Sequence, residues 1–231
     1  MERFTNDFDS CVQQAVDEFT NHGTDTTVTE TKINSYLAAT DGKSPLDRVC
    51  RLNLLAMGCA DYGWDAMSSV YKHITRTEPP EDQLPALIVW QSAGFQYLVS
   101  KRLTFEERYR VAIELQHVLD LALEVSPRNG GLASSYGELY LEHPLRMGDE
   151  RSHLEKALEW FKKADEWSHE VPDQAHSALS LLAETHAHLH QWQDALTAYK
   201  RLRDLHLILA DGETCADIDR HIKECEKNLR A

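Results

Sequence analysis

The densest group of chemically capable side chains is His186-Ala187-His188-Leu189-His190. Two histidines four residues apart share one face of a helix, where their imidazoles could hold zinc. A hydrolytic zinc helix also needs a glutamate between the histidines and a third ligand beyond them. Neither accompanies His186 and His190, and a chain with twelve histidines makes such a pairing common by chance. His143, His169 and His176 fall in loops or at helix ends that no spacing ties together. The cluster is therefore expected to be structural, with no metal and no cofactor.

Gly130-Gly131 could open a phosphate-binding turn, but no GxxxxGK[ST] or strand-derived GxGxxG surrounds it, so turn or packing glycines are expected. The run Glu106-Glu107-Arg108-Tyr109-Arg110 reads as a solvated helical face with internal charge pairs. No serine, threonine or cysteine has a context that marks an activated nucleophile, which leaves no catalytic residue to name and only a constellation assembled in three dimensions. Trp90, Trp160 and Trp167 sit in apolar helical patterns and are expected in the core, and Trp192 is expected to pin a turn between paired helices.

The elements that would position these residues are all helical. Trp64, Met67, Val70, Tyr71 and Ile74 share one face of a helix over 64–75 that ends at Glu78-Pro79-Pro80. A buried helix follows over 81–101, with Pro85 tolerable only near its first turn. Thr104-Phe105-Glu106-Glu107 is a capping box that opens a helix reaching Val125 through Val111, Leu115, Val118, Leu119 and Ala122. It stops at Ser126, because the residue before Pro127 is pushed out of the α region. Before these, the spacing predicts helices at about 5–21, 33–41 and 44–61, the last opened by Ser44-Pro45-Leu46-Asp47. At the far end Asp211-Gly212 breaks the chain, and a last helix places Cys215, Ile218, Ile222, Cys225 and Leu229 inward, with His221, Lys223, Glu224, Lys227 and Arg230 outward. No segment alternates as a strand, so the fold class expected is all-α, with about nine helices in antiparallel pairs.

Composition limits the partners. A 231-residue chain with 42% apolar residues can build a real core. A formal charge of −14 argues against non-specific binding to nucleic acid or to an anionic membrane, since both need a basic surface. The apolar stretch 84–99 is broken by Gln91, Ser92 and Gln96 and is too short to span a bilayer. Five cysteines without a CxxC pair predict buried thiols in a reducing cytoplasm rather than a disulfide framework. The charged residues after Met1 predict no secretory signal.

Residues 131–205 carry two related patterns. Tyr136-Gly137-Glu138-Leu139-Tyr140 places a large residue, a glycine and a tyrosine on a first helix, and Ala157, Phe161 and Ala164 lie on a second, with Pro172 following. Leu179, Leu182 and Ala183 then stand on another first helix, with Ala195 and Tyr199 on its partner, so that the two small-plus-aromatic pairs lie 38 residues apart. This resembles the tetratricopeptide repeat family, whose period is about 34 residues. His186 stands where the family has tyrosine, Tyr136 where it has leucine, and a loop about eight residues longer than the template separates the helices of the first repeat.

The resemblance implies a right-handed superhelix of antiparallel helix pairs, with N-terminal helices over 1–43, a helical region over 44–126, repeats over 127–210 and a capping helix over 211–231, forming one continuous domain. A further degenerate repeat near Asp61–Ala66 stays open. It also implies a concave groove that docks a protein or peptide, lined by Gly131, Ser134, Glu138, Leu141 and Glu142 of the first repeat and Ser177, Ser180, Glu184, Ala187 and His188 of the second. The groove positions carry no lysine, arginine or asparagine to hold a terminal carboxylate. Glu138, Glu142 and Glu184 favour a basic or apolar partner, and His188 can alter the balance near neutral pH. Two other functions stay open: an enzyme or small-ligand protein with a motif-less pocket, and a homo-oligomer that pairs an open face or the 84–99 helix with its copy.

Overall fold

The computed structural model describes residues 64–100, 103–142, 150–168, 171–209 and 215–230. The helices expected at 5–21, 33–41 and 44–61, Cys11, Cys50 and Cys59, the lengthened loop at 143–149 and the Asp211-Gly212 break lie outside the described residues. Among the described residues the chain forms eight helices and no strand, as an all-α fold requires. None of these helices is long and apolar enough to cross a membrane. The chain divides between Leu103 and Thr104 into two compact units.

In the first unit, α1 (Trp64–Thr77) packs on α2 (Pro80–Ser100). Trp64, Met67, Val70, Tyr71 and Ile74 are all buried at 2% exposure or less, which matches the face read from their spacing. Tyr71 stacks on Trp90 with ring centroids 5.0 Å apart, and Gln83 Nε2 donates to the carbonyls of Thr75 and Glu78 to hold the turn. The second helix is buried as expected over part of its surface. Leu87, Trp90 and Leu98 are interior, whereas Ile88 is 39% and Val99 75% exposed, so the apolar run serves one face and leaves part of itself uncovered. Starting this helix at Pro80 sets Pro85 beyond the first turn, where it forgoes one backbone bond.

The second unit opens with α3 (Phe105–Val125), whose capping box is complete. The Glu107 amide donates to Thr104 Oγ1 at 3.3 Å, and the Thr104 amide donates to Glu107 Oε2 at 2.8 Å. Ser126 ends the helix before Pro127 as expected, its amide donating to the Ala122 carbonyl at 2.8 Å. The next helix, α4 (Gly130–Glu142), begins earlier than the glycines suggest. Arg128 takes the left-handed conformation, with φ 60°, to reverse the chain. Asn129 then caps the helix, its Oδ1 accepting from the Leu132 amide at 3.1 Å. That cap offsets the poor helix propensity of Gly130-Gly131, and the first of the two is a packing residue: a Cβ on Gly130 would lie 1.8 Å from Ser168 Oγ.

The chain continues through α5 (Glu150–Ser168), α6 (Pro172–His188), α7 (Trp192–Leu209) and α8 (Ala216–Arg230). Each helix from α3 onward packs on the next, and α4 also packs on α6. Pro172, read from the sequence as the end of a repeat's second helix, stands at the start of α6, where its fixed φ suits the first turn and its missing N–H is not needed. Ala157, Phe161, Ala164, Ala183 and Ala195 are all fully buried, so the small and aromatic positions of both patterns lie at helix crossings. A Cβ on Gly137 would come within 2.3 Å of the Phe161 ring, which shows how closely α4 and α5 approach. Arg201 of α7 clasps Asp165 of α5 with two hydrogen bonds, of 2.8 and 2.9 Å.

The last helix is amphipathic but turned a little from the expected orientation. Cys215, Ile222 and Cys225 are buried and Ile218 packs against the core, while Leu229 is 44% exposed. His221, expected to face solvent, lies flat against Tyr199 with centroids 5.1 Å apart. The cysteines among the described residues, Cys215 and Cys225, are both buried.

Candidate functional site

The ten positions assigned to a groove lie on α4 and α6, which are packed neighbours. On α4, Gly131 faces the Gln174 side chain, near enough that a Cβ would sit 3.9 Å away. Ser134 is buried at 8% exposure and offers a partner little surface. Glu138 is half-buried, Leu141 packs against the core, and the side chain of Glu142 lies outside the described residues. On α6, Ser177, Glu184 and His188 are exposed, Ala187 leans on the core, and the Ser180 hydroxyl donates to Glu184 Oε1 at 3.4 Å. Among the described side chains, the second set thus presents more polar surface than the first.

The histidine cluster separates into three environments. His186 is interior at 5% exposure, and its Nδ1–H donates to Gln191 Oε1 at 2.6 Å. Burial holds this imidazole below its ordinary pKa, with the Gln191 bond working in the opposite direction. His188 is exposed on α6. His190 occupies the turn in the left-handed region, with φ 58°. Its amide donates to the Ala187 carbonyl at 3.0 Å, and the Gln191 amide donates to the His186 carbonyl at 2.9 Å, a Schellman closure that normally employs glycine at this place. No group of three metal-capable side chains converges among the described residues.

Where α6, the turn and α7 meet α8 there is a cleft of about 280 Å³, lined by Ala187, His188, His190, Trp192, Tyr199, His221, Glu224 and Cys225. Of the ten groove positions it takes in Ala187 and His188. Tyr199 and Cys225, at 3% and 2% exposure, form its floor. Trp192 and His221 are half-buried walls, and His188, His190 and Glu224 are the exposed rim. The Trp192 ring sits 5.5 Å from that of His190. Burial pushes the Tyr199 hydroxyl well above its usual range, and the carboxylates of Glu184 and Glu224 add to the effect. Burial and Glu224 likewise raise the Cys225 thiol, which keeps it protonated and a poor nucleophile. The cleft is thus walled by rings, with the Glu224 carboxylate and the imidazoles of His188 and His190 at its rim.

Sequence spacing had no means of finding this cleft, since His221 and Glu224 come from the face of the last helix that was assigned to solvent. It also left His176 unconnected, whereas its Nε2 lies 3.2 Å from Nδ1 of His206 across the α6–α7 hairpin. Between α4 and α5, Trp160 lies between Tyr136, with centroids 4.2 Å apart, and the ammonium of Lys163, 3.9 Å from its ring. The Tyr136 hydroxyl donates to Asp120 of α3. Compared with models of known protein families and with curated proteins, the sequence matches none.

Proposed function

We propose that residues 104–231 form a protein-interaction module: two tetratricopeptide-like hairpins, α4–α5 and α6–α7, stacked in a right-handed sense and closed by α8, with a groove along α4 and α6 that takes a basic or apolar peptide. The observation that carries this reading is the repeated crossing. Gly137 against Phe161, and Ala183 and Ala195 with Tyr199, are buried at matching places, while α4 and α6 pack side by side. Repeated hairpins with small residues at their crossings leave the first helices as one continuous surface, the usual docking face of such stacks. Glu138 and Glu184 give that surface a negative bias, and a chain of formal charge −14 steers basic partners toward itself.

Matched basic and acidic peptide libraries test the reading, titrated against the wild type and a Glu138→Gln, Glu142→Gln, Glu184→Gln variant. Basic peptides should bind in preference, more weakly as salt rises, and the triple variant should lose affinity. Preference for acidic peptides, or basic-peptide binding indifferent to all three substitutions, would remove the groove.

A second reading, self-association, is favoured by the exposure of Ile88 and Val99 on α2. Light scattering that reports twice the chain mass, reverting in an Ile88→Ser, Val99→Ser variant, would establish it.

A further inference from the structure

We propose that the cleft between the α6–α7 turn and α8 receives one alkylammonium group, the head of a lysine side chain, methylated or not, carried by the partner peptide. This rests on the reading of the unit as a basic-peptide module and names what one end of the site selects. Size comes first. At about 280 Å³ the cleft falls below the range of roughly 300–1,000 Å³ that holds a drug-sized ligand, and fits one side chain.

Its lining decides which side chain. Trp192, Tyr199 and His221 bring three rings to the cleft from two helices; the His221 ring covers the face of Tyr199, so the half-buried Trp192 is the ring whose face can attract a cation. Ala187 and Cys225 give the floor an apolar character that suits a methylene stem. The rim carries Glu224 beside His188 and His190, whose imidazoles are weaker bases than an alkylamine, and among the described residues no lysine or arginine lines the cleft. Glu184 extends the negative bias along α6, since it acts together with Glu224 on the Tyr199 hydroxyl. A carboxylate ligand would meet repulsion there, and an uncharged apolar one would leave the Glu224 charge unused. A lysine, with its compact ammonium on a flexible four-carbon stem, satisfies rings, floor and rim together.

The test uses four small probes and the full chain at pH 8, followed through the indole N–H resonance of Trp192, assigned by its loss in a Trp192→Phe variant. The probes are Nα-acetyl-lysine methylamide, its Nε-trimethyl derivative, the arginine analogue and the norleucine analogue. One or both ammonium probes should move the Trp192 signal, norleucine should leave it in place, and Glu224→Gln should weaken ammonium binding roughly 3- to 10-fold. The exposed position of Glu224 keeps that substitution from disturbing the fold, which a melting curve checks. Tighter binding of the trimethyl probe would identify a methylated partner, and equal or tighter binding of lysine an unmodified one. The assignment is overturned if norleucine binds as well as lysine, if arginine outcompetes both ammonium probes, if Glu224→Gln has no effect, or if no probe moves the signal. The probes read the cleft apart from the groove. Basic peptides that bind while the probes do not would remove the cleft and keep the groove, and the reverse result would remove the groove and keep the cleft.

Discussion

The α4–α5 and α6–α7 hairpins place small and aromatic residues at the same crossings, yet they differ in what closes over them, and a cleft lies where the second meets α8. In the first, Gly137 meets Phe161 so closely that a single methyl has no room, and Tyr136 is stacked on Trp160. In the second, Ala183 and Tyr199 hold the corresponding places, His186 replaces the tyrosine, and the next neighbour is α8 rather than a further repeat. A lone amphipathic helix covers less than a hairpin would, so Tyr199 is roofed by the His221 ring, and the cleft opens beside it. The second hairpin thus keeps its packing at the crossing while its far end is covered by a single helix.

Overpacking should expose this contrast most strongly. Gly137→Ala drives a Cβ into the ring of the fully buried Phe161 and should cost about 1–3 kcal/mol in urea denaturation. Ala195→Leu, at the equivalent alanine crossing, should cost a similar amount. Loss at Gly137 alone would mean that only the first hairpin is tightly crossed, and neutrality at both would end the comparison.

Acidification should separate the hairpins next. Because burial holds His186 below its ordinary pKa of 6.5, the unfolded chain takes up this proton before the folded chain does. The unfolded state then binds more protons, so stability falls as pH drops through the window between the ordinary value and the lower folded one. The contribution of this one site to the slope is at most about 1.4 kcal/mol per pH unit. Tyr140 occupies the corresponding place in the first hairpin, and its hydroxyl is moved upward by burial, away from this window. His186→Gln should therefore flatten the acid limb of the stability curve, and Tyr140→Phe should leave its slope unchanged. An unaltered slope in His186→Gln would show that the imidazole is not held neutral by the fold.

The smallest effect concerns the turn. His190 holds a left-handed conformation that costs a side-chain-bearing residue about 1–2 kcal/mol, part of which glycine would lose again through the entropy of the unfolded chain. His190→Gly should raise stability by a net ~0.5–1 kcal/mol. A loss instead would mean that the His190 ring, 5.5 Å from Trp192, contributes more than its backbone costs.

Much of the fold was legible because it depends on neighbours in sequence. The capping box at Thr104, the stop before Pro127, and the buried faces of α1 and α3 follow from local hydrogen bonding and a 3.6-residue period. The same locality explains the misreadings. Gly130-Gly131 reads equally as turn or packing glycines from the sequence, and tertiary contact decides for packing at Gly130, where Asn129 caps the helix and Ser168 lies against it. The stretch 84–99 reads as buried because it is apolar, and periodicity does not say how many faces find a partner.

Composition and spacing by themselves determined the all-α class, the buried faces of α1 and α3 and, among the described residues, the helix boundaries to within a few residues. Each of these rests on an interaction spanning a few residues or on the period of a single helix. Tertiary packing alone decided that His176 meets His206, that Arg201 clasps Asp165, that Leu229 is exposed, and that His221 turns onto Tyr199. Those outcomes depend on the rotation of one helix against another. That rotation is set by the summed fit of many side chains, and a turn of a few tens of degrees changes which residue a cleft receives.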